Sequence, residues 1–409
     1  MGTGARRERW VVVGLIFLAS CLTYMDRQMF GLLKPMMQAE LGWSEIDYSG
    51  VVIAFHAAFF IGFLSFGPVM DRFGARRGYA AAFTLWAAAH TLLGLASSLA
   101  QFGLIRFVLG VGESGTFPAR LKAISEWFKP QERALAIGLF NAGASSGALL
   151  TLAVVPILTQ AYGWRGAFLI SGAISFLWLG LWLSVYRHPP TPAPEAESPA
   201  SPARLTRAVF LSLMRERRAW AYIVVKFLTV PVWWLYLFWL PDFLHRTHSL
   251  DLSVFGLPLL LIFVLADMGS IIGGWASSHL MARGASVGRA RKGVMAVCAL
   301  LILPLVMVPF SPWLWLSVGI VALAAAAHQA FSANLLALPS DLFPKEVVGS
   351  VVGIGGAAGA IGAMIMAMFS GVVLEFTGSY VPIFLVAGTV YLGAVLFLHL
   401  TRAYPSRNS

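Results

Sequence analysis

Long apolar stretches alternate with short polar ones along the whole chain. Runs of roughly 20 residues, enough at about 1.5 Å per residue to cross a hydrocarbon core of about 30 Å, fall at 10–32, 46–70, 78–98, 102–123, 134–158, 166–186, 219–242, 253–281, 293–310, 313–337, 347–374 and 380–401. Each predicts one membrane-crossing helix, so the fold class is an all-α membrane protein with twelve transmembrane helices. Composition agrees: 58% of residues are hydrophobic, 11% are charged and the mean hydropathy is +0.78. So little charge cannot solvate so apolar a mass, which sets aside a cytosolic enzyme, a disordered chain and a disulfide scaffold. Cys21 and Cys298 both lie within apolar runs and read as small core residues.

The net charge of +11 would suggest nucleic acid as a partner of a soluble chain, but here it reads as topology. One side of the membrane collects most of the 29 lysines and arginines, from Arg6, Arg7 and Arg9 through Arg72, Arg76, Arg77, Arg120, Lys122, Lys129 and Arg133 to Arg291, Lys292, Lys345, Arg402 and Arg407. The other side keeps Lys34, Arg165 and Arg246. Both termini are therefore expected in the cytoplasm, and no nucleic-acid partner is expected. Asp26 and Arg27 interrupt the apolar run that follows the first arginines, so the amino terminus reads as an uncleaved helix rather than a secretory signal.

After the sixth run, Pro189 to Pro202 mixes Pro, Ala, Ser and Glu without an apolar period. This predicts a cytoplasmic linker over 189–215 between two six-helix bundles, 1–188 and 216–409. The halves also repeat. Ser125-Glu126-Trp127-Phe128 aligns with Ser340-Asp341-Leu342-Phe343, and Gly138, Gly147 and Gly163 align with Gly353, Gly362 and Gly378. Earlier positions repeat at a slightly shorter offset, Pro35 with Pro241 and Gly67 with Gly274. A duplicated pair of pseudo-symmetric bundles is the build of an alternating-access transporter, with the solute site at the repeat interface near the midplane. Gly110 to Gly115 satisfies G-x-G-x-x-G by letter, but it lies inside an apolar helix with no preceding strand and is set aside as a nucleotide site. Neither a phosphate loop, HExxH, GxSxG nor a Cys/His cluster is present, so no enzyme, cofactor or metal is expected.

Charges inside the membrane carry the chemistry, because each costs about 2.5–3.5 kcal/mol at a helix centre. They are Asp26, Arg27, Arg106, Glu113, Lys226 and Asp267. Arg106 and Glu113, seven residues apart, share a helix face. Arg27 and Arg106 are the candidates for holding a carboxylate, since guanidinium makes bidentate bonds and stays charged; the alternative is that each is a counterion to Asp26 or Glu113. Asp26 and Glu113 are the candidate proton carriers, because burial favours the neutral carboxyl and a nearby arginine the ionised one. Glu113, with no arginine adjacent in sequence, is expected to protonate more easily. Lys226 reads as a stabilising partner of Asp267, with substrate contact as the other reading.

Gly67-Pro-Val-Met-Asp71-Arg72-Phe-Gly74-Ala-Arg76-Arg77 resembles the major facilitator signature G-x-x-x-D-R-x-G-R-R. Tyr24-Met25-Asp26-Arg27, Arg106 with Glu113, and Trp239-Leu240-Pro241 look like the anion:cation symporter branch of that superfamily. Phe140-Asn141-Ala142-Gly143, Ala266-Asp267, His328-Gln329 and the two Ser-acid-x-Phe segments look like bacterial hexuronate transporters. The resemblance implies the major facilitator fold and proton-driven import of a sugar acid such as glucuronate or galacturonate. Phe59 departs from it where relatives often carry Tyr, and so do the Gly and Ala residues early in the eleventh run where some place Asn.

In that light Asn141, His328 and Gln329 become candidate contacts to sugar hydroxyls, with interhelical bonding as the other reading for His328 and Gln329. Tyr236, with Trp233 and Trp234, either stacks on a sugar ring or serves packing. His90 is expected to pack, and His56 is left open. The resemblance makes Asp71 with Arg72, Arg76 and Arg77 a cytoplasmic gate docking on the eleventh span; topology alone would also explain the arginines. The expected function is a proton-coupled symporter for a hexuronate-like anion in a bacterial inner membrane, working as a monomer. The alternatives are a carrier of another organic anion, such as an aldonate or aromatic acid, and a membrane sensor without transport.

Overall fold

The computed structural model describes residues 3–128, 130–187, 207–250 and 256–401; of some helical residues, Asp71, Arg72 and Asn141 among them, only the backbone is described. The chain divides into two compact units, Met1–Ser198 and Pro199–Ser409. The first holds α1 (Thr3–Leu32), α2 (Lys34–Leu41), α3 (Glu45–Leu93), α4 (Leu99–Trp127) and α5 (Pro130–Val185). The second holds α6 (Arg207–Arg215), α7 (Arg217–Phe238), α8 (Leu240–His248), α9 (Gly256–Ala282), α10 (Val287–Ile302), a 3-10 stretch Leu303–Phe310, α11 (Leu314–Leu342), α12 (Lys345–Thr377) and α13 (Val381–Leu400). Helix α6 lies inside the stretch expected to be linker; residues 189–206 lie outside the described residues.

Helices α3 and α5 run for 49 and 56 residues, too long for one crossing. Each is broken by a glycine, Gly74 at φ 68°, ψ 170° and Gly163 at φ 70°, ψ 173°. That conformation is nearly closed to residues with a Cβ, so glycine there reverses the chain between two spans. Gly163→Ala is expected to cost about 1–3 kcal/mol, the price of forcing a side chain into that region, read as a lower midpoint of thermal unfolding in detergent. Capping boxes start the neighbouring helices, Ser44 with Asp47 on α3 and Ser98 with Gln101 on α4.

Among the described residues nine stretches are long and apolar enough to cross a membrane. One of them, Ser146–Val185, contains the Gly163 break and makes two crossings. Two further helices, 75–93 and α4, are held below that threshold by Arg76, Arg77 and His90 and by Arg106 and Glu113. The crossings are then the twelve that the apolar runs predict.

Inside unit 1, α1 packs on α5 and α3 on α4; inside unit 2, α7 packs on α12 and α9 on α11. The duplication is visible in how closely these pairs approach. A Cβ built on Gly147 would come within 2.3 Å of the Cys21 carbonyl oxygen, and one on Gly362 within 2.3 Å of the Phe227 carbonyl oxygen. Gly147 and Gly362 are related by the longer repeat offset, Cys21 and Phe227 by the shorter. The G-x-G-x-x-G letters have the same physical meaning. A Cβ on Gly110 would meet the Phe55 carbonyl oxygen at 2.6 Å and one on Gly112 the Trp86 amide nitrogen at 2.5 Å, so these glycines seat α4 on α3.

Candidate functional site

Consecutive residues on a helix point about 100° apart, so Asp26 and Arg27 on α1 turn to different neighbours. Arg27 Nε donates to Glu113 Oε1 on α4, forming an ion pair in which the glutamate side chain is fully buried and the arginine 16% exposed. The Arg27 guanidinium also lies over the rings of Tyr24 at 5.2 Å and Phe59 at 5.3 Å. Two turns before Glu113, Arg106 is 1% exposed, its guanidinium held between Phe30 at 4.1 Å and Phe55 at 4.5 Å. Asp26 faces the other way, with Oδ1 3.2 Å from Nε2 of His90 on α3. The same nitrogen lies 2.7 Å from Ser171 Oγ on α5. His56 is buried within electrostatic range of Arg27 and Arg106, as Asp26 is of Arg106 and Glu113.

Asp26, Arg27, Arg106 and Glu113 therefore form one cluster inside unit 1. Two expectations change. Glu113 is the carboxylate that holds an arginine, because α4 brings it to Arg27 across 86 residues of sequence. His90 does more than pack, because α3 places it between an acid and a hydroxyl.

Arg120, expected from its place in the sequence among the charges outside the membrane, differs. It is buried and donates to four hydroxyls, Tyr79 at 3.0 Å, Ser20 at 3.0 Å, Thr23 at 2.8 Å and Thr116 at 3.3 Å, and makes no ion pair among the described residues. The available signal was spacing: Arg106, Glu113 and Arg120 recur every seven residues and line one face of α4.

In unit 2 the corresponding positions carry different chemistry. At the repeat offsets, Glu113 corresponds to His328 on α11 and Arg27 to Trp233 on α7. Their rings stack at 5.4 Å and 10°. His328 Nδ1 hydrogen-bonds the Tyr391 hydroxyl, and that hydroxyl donates to the Thr229 carbonyl at 3.3 Å. Tyr236 stands edge-on to His328 at 6.5 Å, and its buried hydroxyl has no hydrogen-bond partner among the described residues. Lys226 lies within electrostatic range of His328 and makes no ion pair among the described residues. The expected bridge to Asp267 is not formed: α11 packs against both α7 and α9, which carry the two residues. Gln329 is half-buried and makes no side-chain hydrogen bond among the described residues. The Asn141 side chain lies outside the described residues.

Two bundles of related helices, each with a buried polar centre of its own, narrow the fold to few families. Residues 16–321 match the family model described as Major Facilitator Superfamily. The chain belongs to that superfamily. It is 29% identical to the hexuronate transporter of Escherichia coli strain K12, over 97% of this chain and 95% of that protein. It is 32% identical to the galacturonate transporter of Dickeya chrysanthemi, over 65% of this chain and 81% of that one. In fold it resembles the E. coli xylose transporter solved in an inward-open conformation, with a TM-score of 0.74, 15% identity and 98% of each chain covered. The chain is accordingly a multi-pass membrane protein of a transporter superfamily rather than an enzyme.

The facilitator signature loop is fastened within its own unit. Arg76 Nη2 donates to the Leu183 carbonyl at 2.7 Å, and Trp182 Nε1 donates to the Arg76 carbonyl at 3.1 Å. Glu126 accepts from the Ala75 amide at 3.4 Å and from the Tyr186 hydroxyl at 2.6 Å. Arg76 therefore differs from the expected gating cluster by anchoring the loop to α5, whereas Arg77 is exposed. The side chains of Asp71 and Arg72 lie outside the described residues. At the position equivalent to Glu126, Asp341 accepts from Arg291 at 3.2 Å, so both repeats use this acid as a fastener.

Proposed function

We propose that this chain is a proton-coupled symporter that imports a hexuronate-like organic anion across a bacterial inner membrane by alternating access, with both termini in the cytoplasm. The observation that carries the reading is the Arg27 to Glu113 ion pair, buried beside Arg106 and Asp26. A buried pair persists only where it is well satisfied or used, and this one is built to be exchanged. An incoming carboxylate offers Arg27 the same bidentate geometry that Glu113 offers. When the anion takes the guanidinium, Glu113 is left in a dry site without its counterion, and a proton from the outer side neutralises it. Asp26 carries the second proton position, and Arg106 supplies fixed positive charge that draws the anion in.

The named relatives handle hexuronate and galacturonate, which supports a sugar acid as the anion. In unit 2 the stacked Trp233 and His328, with the Tyr236 hydroxyl that has no partner among the described residues, suit a ring that has an apolar face and hydroxyl edges. Gln329, Asn141 and Lys226 are assigned as further polar contacts to the anion. Asp71, Arg72 and Arg77 on the signature loop are assigned to the cytoplasmic gate.

The test is uptake into proteoliposomes with an imposed pH gradient and labelled D-glucuronate. Accumulation that a protonophore abolishes and galacturonate competes is expected. No accumulation of glucuronate or galacturonate, and competition by neither, would remove the sugar acid; accumulation of an aldonate or aromatic acid instead would identify the other anion class. Binding without flux would make the protein a sensor.

A further inference from the structure

His90 is fully buried at the meeting of α1, α3 and α5, where the sequence gives no reason for an imidazole. Its Nε2 hydrogen-bonds Ser171 Oγ at 2.7 Å and lies 3.2 Å from Asp26 Oδ1, which makes no hydrogen bond among the described residues. The Ser171 hydroxyl has the Ala167 carbonyl at 2.8 Å and the Phe168 carbonyl at 3.2 Å to take its one proton, which leaves its oxygen free to accept from His90. In that arrangement Nε2 carries the hydrogen. Nδ1 is buried and has no hydrogen-bond partner among the described residues, so a second ring proton would be stranded there without an acceptor.

We propose that His90 is the positioning residue of the proton site on Asp26: a neutral ring whose single Nε2 hydrogen swings between the Asp26 carboxylate and the Ser171 hydroxyl as Asp26 loses and gains the transported proton. The inference rests on the reading of the protein as a proton-coupled carrier. When Asp26 is ionised, the Nε2 hydrogen turns to Oδ1 and supplies the buried carboxylate with a donor. When a proton from the outer side forms an O–H bond on Asp26, that donor is released, and Ser171 receives it so that no buried N–H is orphaned. The O–H bond breaks again toward the inner side and the cycle closes, with the ring proton count unchanged throughout. Two acceptors for one donor let the acid change charge in a dry site without leaving an unsatisfied group in either state.

The charged groups acting on this pair are Glu113 and Arg106 from α4 on Asp26 and Arg106 on His90; α5 contributes Ser171. Substitutions at His90 and Ser171 leave these charges in place, so a change in pH dependence reports the hydrogen-bond exchange. The experiment measures glucuronate uptake by proteoliposomes over a range of external pH for the wild type, His90→Leu, His90→Gln and Ser171→Ala. In His90→Leu the carboxylate loses its donor, and the midpoint of the pH profile is expected to rise by about one unit. His90→Gln, whose amide nitrogen reaches the Nε2 position, is expected to restore the midpoint to within about 0.3 unit. Ser171→Ala leaves Asp26 as the single acceptor and is expected to lower the midpoint by about half a unit.

Opposite shifts at the two positions are the signature, since general damage to packing would move both the same way. Equal midpoints in all variants, or shifts of one sign at His90 and Ser171, overturn the proposal. Should His90→Leu fail to elute as a single species, the contrast between His90→Gln and Ser171→Ala decides it alone. A wild-type profile flat across pH would instead sink the proton-coupled reading, whatever the variants do.

Discussion

Arg27→Ala is expected to weaken glucuronate binding by about 100-fold or more and to abolish uptake. At about 1.4 kcal/mol per tenfold, that loss is close to 3 kcal/mol, within reach of one bidentate, charge-assisted contact in a site sheltered from water. Removing one partner of a buried pair is also costly in itself, about 3–5 kcal/mol for as long as Glu113 stays ionised without a counterion. Arg27→Lys separates the two effects. It returns the charge to Glu113 without the planar fork and should recover stability more fully than affinity. Ligand-dependent thermal shift in detergent reads both quantities from one preparation. Near-normal affinity in Arg27→Ala would make the arginine structural.

The second large effect concerns energy coupling rather than binding. Each proton carried with the anion adds about a tenfold accumulation for every unit of pH gradient. Glu113→Gln fixes that position in a neutral form resembling the protonated acid. Accumulation under a pH gradient is expected to fall by about tenfold for each unit of gradient, the share of one proton, while exchange of labelled for unlabelled glucuronate is spared far better. Counterflow and gradient-driven uptake measured on the same liposomes give the comparison. Full accumulation in Glu113→Gln would move proton coupling to another group.

Much of the scaffold was legible in the sequence because lipid imposes a length and a polarity on each crossing. The glycine reversals at Gly74 and Gly163 fall between apolar runs, and the repeat offsets that align Gly147 with Gly362 also align the backbones they touch. The inventory of buried charges was legible for the same reason: each costs too much to be incidental. Partner choice was not. Depth along a helix follows from counting residues, but the direction a side chain points around the bundle depends on which helices are neighbours. Lys226 and Asp267 lie at similar depth and do not meet. Arg27 and Glu113 do meet, across 86 residues. Arg120 was misplaced because an arginine near a helix end reads as a topology signal, whereas four hydroxyls from α1, α3 and α4 hold this one inside. The correspondence of Glu113 with His328 was hidden because the two positions kept their place and changed their chemistry.

The central claim is that loading the anion and loading the proton are one linked equilibrium. The most direct test is calorimetric titration of glucuronate into detergent-solubilised protein at about pH 7, in buffers that differ in ionisation enthalpy. Release of Glu113 from Arg27 requires uptake of about one proton per anion bound, with an affinity that falls toward about tenfold per unit as pH rises. A binding enthalpy identical in every buffer, with affinity constant across that pH range, would contradict it.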